Sequence, residues 1–282
     1  MHVVQTIAEV RSAVREARRR GLRIGCVPTM GALHAGHMSL VAECRRQSGF
    51  VAVWIFVNPT QFAPHEDLEK YPRPLEDDLT NCRAAGVDLV FTPDGSSLYP
   101  ERFETYVTVE RLSQILEGEH RPTHFRGVAT IVTKLFNIIQ PDVACFGQKD
   151  YQQQALIRRM VHDLDIPVEI VTCPTVREPD GLALSSRNVY LSADERRAAL
   201  SLYEALQLAA ERIGTGETDL AKVRAAMLDH LRSQPLVEPD YSTIADTETL
   251  EQLDTPRPRM VALVAATVGR TRLIDNLIMH TV

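Results

Sequence analysis

Apolar runs bounded by Gly, Pro and polar clusters alternate along the chain with stretches in which apolar residues recur every three or four positions, and this predicts strands and helices in turn. Ile7 to Arg20 sets Ile7, Val10, Val14 and Ala17 on one face and its arginines largely on the other, with Gly21 ending the helix. Ile24 to Val27 is a short apolar strand that Pro28 halts, and a helix begins near Ala35 and continues through Met38 to Arg46. Phe50 to Val57 is almost unbroken apolar, the texture of a parallel strand buried on both faces. A helix over Leu75 to Ala85, a strand over Val87 to Thr92, a helix over Gly127 to Ile139 and a strand over Val143 to Phe146 follow. A helix over Tyr151 to Leu164 and a strand over Val168 to Thr172 complete an alternation that reads as an α/β parallel sheet. Asp67 to Arg73, with Pro64, Pro72 and Pro74, reads as a surface loop able to move over a site, and Asp94 to His120 is too mixed to assign.

From Pro174 the texture changes, which divides the chain into 1–175 and 176–282. Ser192-Ala193-Asp194-Glu195 is a capping box for a long helix reaching about Ile213, and a second helix spans Leu220 to Leu231. Tyr241 to Ala245, Met260 to Val268 and Thr271 to Asp275 read as strands, so the second part is a small helix-plus-antiparallel-sheet domain. With 282 residues, 44% hydrophobic and 24% charged, the composition is that of an ordinary globular protein, and no apolar run approaches the roughly 18 residues of a membrane span. The N-terminus lacks the order of regions of a secretory signal, which makes the cytoplasm the expected location. Five dispersed cysteines without a C-x-x-C argue for buried thiols over disulfides or a zinc knuckle, and a net charge of −6 weighs against a nucleic-acid surface.

Candidate chemistry gathers where strands end. After Val27 come Pro28-Thr29-Met30-Gly31-Ala32-Leu33-His34-Ala35-Gly36-His37, a glycine-bearing turn into a helix whose first amides and dipole favour an anion. His34 and His37 would offer two N–H donors or two positive charges to a polyphosphate, although an isolated H-x-x-H equally suits a zinc pair or surface histidines. After the second strand, Asn58 and Gln61 place amides at the crevice where a parallel sheet presents its ligand. After Phe146, Gly147-Gln148-Lys149-Asp150 offers a lysine to phosphate oxygens and a carboxylate to ribose hydroxyls, or merely charges the helix that follows. Asp77 and Asp78 suit the dipole of their own helix.

Together with Tyr71-Pro72-Arg73, His124-Phe125-Arg126-Gly127-Val128, Phe146 to Gln153 and Leu184-Ser185-Ser186-Arg187-Asn188, these motifs make nearly the whole chain resemble the pantothenate synthetases, the pantoate:β-alanine ligases. The resemblance implies a Rossmann-like nucleotidylyltransferase domain with a smaller C-terminal α+β domain closing over the site, and a homodimer. It implies that pantoate attacks ATP to form pantoyl adenylate and pyrophosphate, and that β-alanine then displaces AMP, with magnesium accompanying ATP. By motif, His34, His37, Lys149, Ser185, Ser186 and Arg187 would contact the phosphates, and His37 and Lys149 would meet the charge that develops during adenylation. Met30, Gly36, Gly147, Asp150, Val176 and Leu184 complete the ATP set, with Gly147 and Asp150 at the ribose. Gln61 and Gln153, with Met30 and Asn58, would hold pantoate and β-alanine, and Asp77 and Asp78 match acidic positions near the metal. The chain departs from the family pattern at Gln148, where glutamate is usual. A nucleotidylyltransferase acting on a phosphorylated acceptor, a tRNA synthetase and an ATP sensor without turnover are the competing readings. The amides at Gln61 and Gln153, the acidic balance without an anticodon-binding domain, and the joint presence of His34, His37, Lys149 and Arg187 weigh against each in turn.

Overall fold

The computed structural model describes residues 1–63, 66 and 68–281. Contacts divide the chain into two units: Met1–Gly147 with Gln153–Pro174, and Gln148–Gln152 with Thr175–Val282. No feature of the sequence detaches Gln148–Gln152 from the strand before it.

The first unit begins with β1 (His2–Val4), α1 (Ile7–Arg19), β2 (Ile24–Thr29), α2 (Ala35–Gln47) and β3 (Phe50–Ile55), then a 3-10 turn, Pro59–Gln61. It continues with α3 (Leu75–Ala84), β4 (Leu89–Phe91), the short α4 (Gly95–Leu98) and α5 (Glu117–His120), and α6 (His124–Ile139). It ends with β5 (Val143–Gly147), α7 (Tyr151–Asp163, its first two residues grouped with the second unit) and β6 (Glu169–Cys173). All six strands are parallel, in the order β1-β4-β3-β2-β5-β6. From β2 the chain winds outward through β3 and β4, then returns to lay β5 on the other side of β2. The carboxyl ends of β2 and β5 therefore flank the point where the winding reverses, which is where sheets of this kind bind ligands. The apolar texture of β3 is explained by its burial: Phe50 through Trp54 are all buried.

Three sequence expectations shift. Pro28 does not halt β2, which runs on to Thr29 with Pro28 opposite Trp54. The β2–β5 pairing reaches only Gly25 and Cys26, so beyond them β2 has a single paired neighbour and a missing N–H is tolerated. The helix expected from Gly127 starts three residues earlier, at His124. The edge strand β1 is an addition, because three largely exposed residues carry no burial signal. Of the loop expected over 67–73, Asp67, like Pro64, lies outside the described residues. Tyr71 is buried and packs edge-on against Phe62 at 6.0 Å, and the Arg73 guanidinium donates to the Leu68 carbonyl at 3.2 Å.

The second unit contains a 3-10 turn, Ser186–Tyr190, then α8 (Ala193–Gly214), α9 (Leu220–Arg232) and the antiparallel strands β7 (Val237–Asp246), β8 (Arg259–Val268) and β9 (Thr271–His280). Its core is made by Leu202, Leu206, Val223 and Met227 of the helices against Met260, Ala262 and Val264 of β8. The capping box of Ser192 and Glu195 opens α8 as the pattern predicts. β7 extends further back than expected because an irregularity between Pro239 and Tyr241 absorbs the proline. Among the described residues, no helix is long and apolar enough to cross a membrane.

Candidate active site

The turn after β2 is built around a carboxylate. Gly31 and Ala32 take positive φ, 87° and 53°, and a Cβ on Gly31 would stand 3.0 Å from an Asp78 carboxylate oxygen. Asp78 is only 2% exposed and accepts the Ala32 N–H at 2.9 Å and the Leu33 N–H at 2.7 Å. Desolvation pushes its carboxyl above the ordinary range, against the two amide bonds, which pull it down. Both oxygens are committed to the turn, whereas Asp77 is exposed. Asp78 thus holds the backbone that carries the histidines. Among the described residues, no group of three His, Cys, Asp or Glu side chains could hold a metal ion.

His34 is the N-cap of α2. Its Nδ1 accepts the Gly36 N–H at 3.1 Å, and His37 Nδ1 accepts the His34 N–H at 3.3 Å, a capping box built from two imidazoles with ring centroids 4.2 Å apart. With each Nδ1 accepting a backbone N–H, Nε2 is the ring nitrogen left to carry a proton. The Gly36 N–H is occupied by this cap.

Gln61 sits on the 3-10 turn after β3, 7% exposed, with its Nε2 donating to Met30 Sδ at 2.8 Å and its Oε1 accepting from Asn58 Nδ2 at 3.1 Å. Met30 and Gln61, placed together by the sequence, are thus in contact. Asn58 is bonded on every side. It is 1% exposed; its Nδ2 also donates to the Gly127 carbonyl at 3.2 Å, and its Oδ1 accepts from Thr60 Oγ1 at 3.0 Å and Tyr99 Oη at 2.9 Å. A side chain bonded in this way braces the Gln61 amide.

The brace extends into residues to which the sequence assigns no role. The Gln61 carbonyl accepts from His124 Nδ1 at 2.9 Å and, more weakly, from Arg121 at 3.4 Å, while Arg121 grips Glu66 through two bonds of 2.8 and 2.6 Å. A Cβ on Gly127 would stand 2.4 Å from the Thr60 carbonyl oxygen, so α6 presses on the Gln61 turn as closely as only glycine permits. His124 and Gly127 lie in the His124–Val128 motif, which is the available signal, but motif membership does not say what a residue touches. Gln153 is half-buried on α7.

In the second unit, Ser185 caps its 3-10 turn by accepting the Arg187 N–H at 3.2 Å, with Ser186 and Arg187 opening the turn. Val176 and Leu184 face each other across a backbone bond of 3.0 Å from the Leu184 N–H. Gly147 ends β5, and Lys149 and Asp150 follow in the segment grouped with this second unit. The sequence-predicted residues thus fall on both units: Met30, His34, Gly36, His37, Asn58, Gln61, Gly147 and Gln153 on the first, and Lys149, Asp150, Val176 and Leu184 to Arg187 on the second.

The chain as a whole is similar to known proteins in sequence and in structure. The chain is 54% identical over 280 residues to the pantothenate synthetase of Moorella thermoacetica, covering 99% of each, and 51% identical over 280 residues to that of Herpetosiphon aurantiacus, covering 99% of this chain and all of the relative. Its structure superposes on the pantothenate synthetase of Thermus thermophilus with a TM-score of 0.94 at 49% identity, over 98% of this chain and 99% of the other. The pantoate-β-alanine ligase of Francisella tularensis, solved with β,γ-ATP and β-alanine, matches at a TM-score of 0.79 and 34% identity, over 98% of this chain and 97% of the other. The family model described as pantoate-β-alanine ligase matches residues 2–278, nearly the full length and both units, and on that match the chain belongs to the pantoate-β-alanine ligase family.

Proposed function

We propose that this chain condenses pantoate with β-alanine to pantothenate, using ATP and passing through pantoyl adenylate. The observation that carries the reading is the pair of imidazoles in the capping box of α2 at the sheet reversal, with the braced Gln61 amide beside Met30. The binding of β,γ-ATP and β-alanine by the Francisella relative supports the choice of substrates. In the first step a pantoate carboxylate oxygen attacks the α-phosphorus, the bond to the bridging oxygen breaks, and pyrophosphate leaves. In the second, the free amine of β-alanine attacks the acyl carbon, an amide forms as the nitrogen releases one proton, and AMP departs with the electron pair of the acyl–oxygen bond.

Such chemistry asks for positioning and for donors aimed at developing charge, with no covalent nucleophile. His34 and His37 supply Nε2–H donors to the phosphates at the positive end of the α2 dipole. Lys149 and Arg187 add positive charge, Ser185 and Ser186 add hydroxyls, and Gly147 and Asp150 meet the ribose. Gly36, Val176 and Leu184 line the nucleotide. Gln61 and Gln153 hold pantoate; a neutral amide binds its hydroxyls and carboxylate without the repulsion an acidic residue would bring. Magnesium belongs to this reading as part of the substrate, MgATP, held by phosphate oxygens and water. The protein acts as a homodimer in the cytoplasm, a compartment suited to five free, buried thiols; light scattering should give twice the chain mass.

ATP–pyrophosphate exchange tests the order of events. Exchange should require pantoate and proceed without β-alanine; exchange that ignores pantoate, or none in its presence, overturns the reading.

A further inference from the structure

The turn that carries Lys149 is held by a side chain more than a hundred residues away in sequence. Asn276 on β9, 1% exposed, donates from Nδ2 to the Gln148 carbonyl and to the Lys149 carbonyl, both at 2.9 Å. Carbonyls only accept, so the nitrogen of the Asn276 amide must face them and its Oδ1 must face the other way. There Oδ1 accepts from Gln148 Nε2 at 3.2 Å. The two amides thus interlock, and each orientation forces the other.

Asn276 is itself held in place. Its backbone N–H donates to Asp275 Oδ1 at 2.7 Å, and Arg177 grips Asp275 through two bonds of 2.6 and 2.9 Å. Arg177 also donates to the Asn276 carbonyl at 3.2 Å and lies 3.9 Å over the Tyr203 ring. A planar guanidinium in two carboxylate bonds and a ring stack has little freedom. On the other flank of the turn, Tyr151 Oη donates to the Thr247 carbonyl at 3.0 Å.

The geometry points to Asn276 as a positioning residue for Lys149, with Gln148 as the partner that sets which way the Asn276 amide faces. The inference rests on the role assigned to Lys149 above. A glutamate at position 148 would set acceptor against acceptor. Asn276 would then have to turn its nitrogen toward that carboxylate and release both carbonyls, loosening the lysine's backbone. Gln148 therefore matters here through its N–H and not through the charge it lacks.

The test is pantoate-dependent ATP–pyrophosphate exchange in wild type, Gln148→Glu, Asn276→Asp, Lys149→Ala and the double variant Lys149→Ala/Gln148→Glu. Near pH 8, Gln148→Glu should lower kcat roughly tenfold with the pantoate KM within about twofold, since a lost buried bond of this kind changes an equilibrium by about that factor. The deficit should shrink toward about pH 6, as the introduced carboxylate takes up a proton and regains a donor for Asn276 Oδ1. Asn276→Asp, which cannot donate to either carbonyl as a carboxylate and to only one of them when protonated, should lose at least as much and should recover less. In the Lys149→Ala background, Gln148→Glu should cost nothing further, because the two act through one group. Gln148→Glu at the wild-type rate at every pH, or an equal loss with and without Lys149, overturns the inference while leaving the proposed function intact. Wild-type protein without pantoate-dependent exchange overturns the reading on which it rests.

Discussion

His34 uses one ring nitrogen to cap α2 and carries its proton on the other, so substitutions can separate stability from chemistry. Asparagine supplies an acceptor in place of Nδ1 but no donor in place of Nε2. His34→Asn should therefore melt near the wild-type temperature yet slow adenylation roughly a hundredfold, whereas His34→Ala should also lose about 1 kcal/mol of stability. Calorimetry and single-turnover kinetics on the two variants would check this, and His37→Ala should slow adenylation by a similar factor with the fold intact. Asp78 makes the complementary case. Removing it in Asp78→Ala orphans the Ala32 and Leu33 amides and should cost about 2 kcal/mol in denaturant unfolding, with loss of exchange as the turn relaxes. The sign of its pH dependence is set by burial. A raised carboxyl binds its proton more tightly folded than unfolded, so its contribution to stability increases as pH falls through the raised value toward the ordinary one. Wild type should accordingly gain stability relative to Asp78→Asn as pH is lowered from about 7 to about 4. None of this is legible in the sequence, where Asp78 is one of three acidic residues in a helical first turn.

At the scale of elements, the Gln61 amide depends on how α6 meets the Pro59–Gln61 turn. Gly127 permits the approach, Asn58 bonds the two together, and His124 secures the Gln61 carbonyl. Gly127→Ala would force a methyl onto the Thr60 backbone and should raise the pantoate KM while leaving the ATP KM near its wild-type value, a split that steady-state exchange kinetics would detect. The sequence locates α6 but begins it three residues late, because His124, Phe125 and Arg126 do not follow the apolar spacing of Val128 to Ile139; their helical start is fixed by contacts with the Gln61 turn. Pro28 shows the same limit. Proline ends a strand when both neighbours need its N–H, and only the pairing of β2 shows that one side is vacated beyond Cys26.

At the scale of the molecule, the candidate residues are shared between two units with separate cores, and ligand binding should be read out by stability. ATP or pantoate alone should raise the melting temperature modestly. The two together without β-alanine should raise it by more than the sum, because the adenylate accumulates and binds only the folded protein. Adding β-alanine should remove the excess, and Lys149→Ala should show none; differential scanning calorimetry would resolve all three.

The sequence by itself determined the alternation of strands and helices, the parallel sheet, the helix-plus-antiparallel second part and the family, because periodicity, capping boxes and glycine-bearing turns are local properties that packing respects. It also located His34, His37, Gln61 and Lys149 at the ends of strands. Only the tertiary structure decided what holds them: Asp78 under the histidine turn, Asn58, His124 and Gly127 around Gln61, and Asn276 against the backbone of Lys149. These are bonds between residues from 3 to more than a hundred positions apart, made by side chains whose spacing carries no period. A buried polar group must find a partner somewhere in the fold, and which partner it finds is settled only when the chain has closed around it.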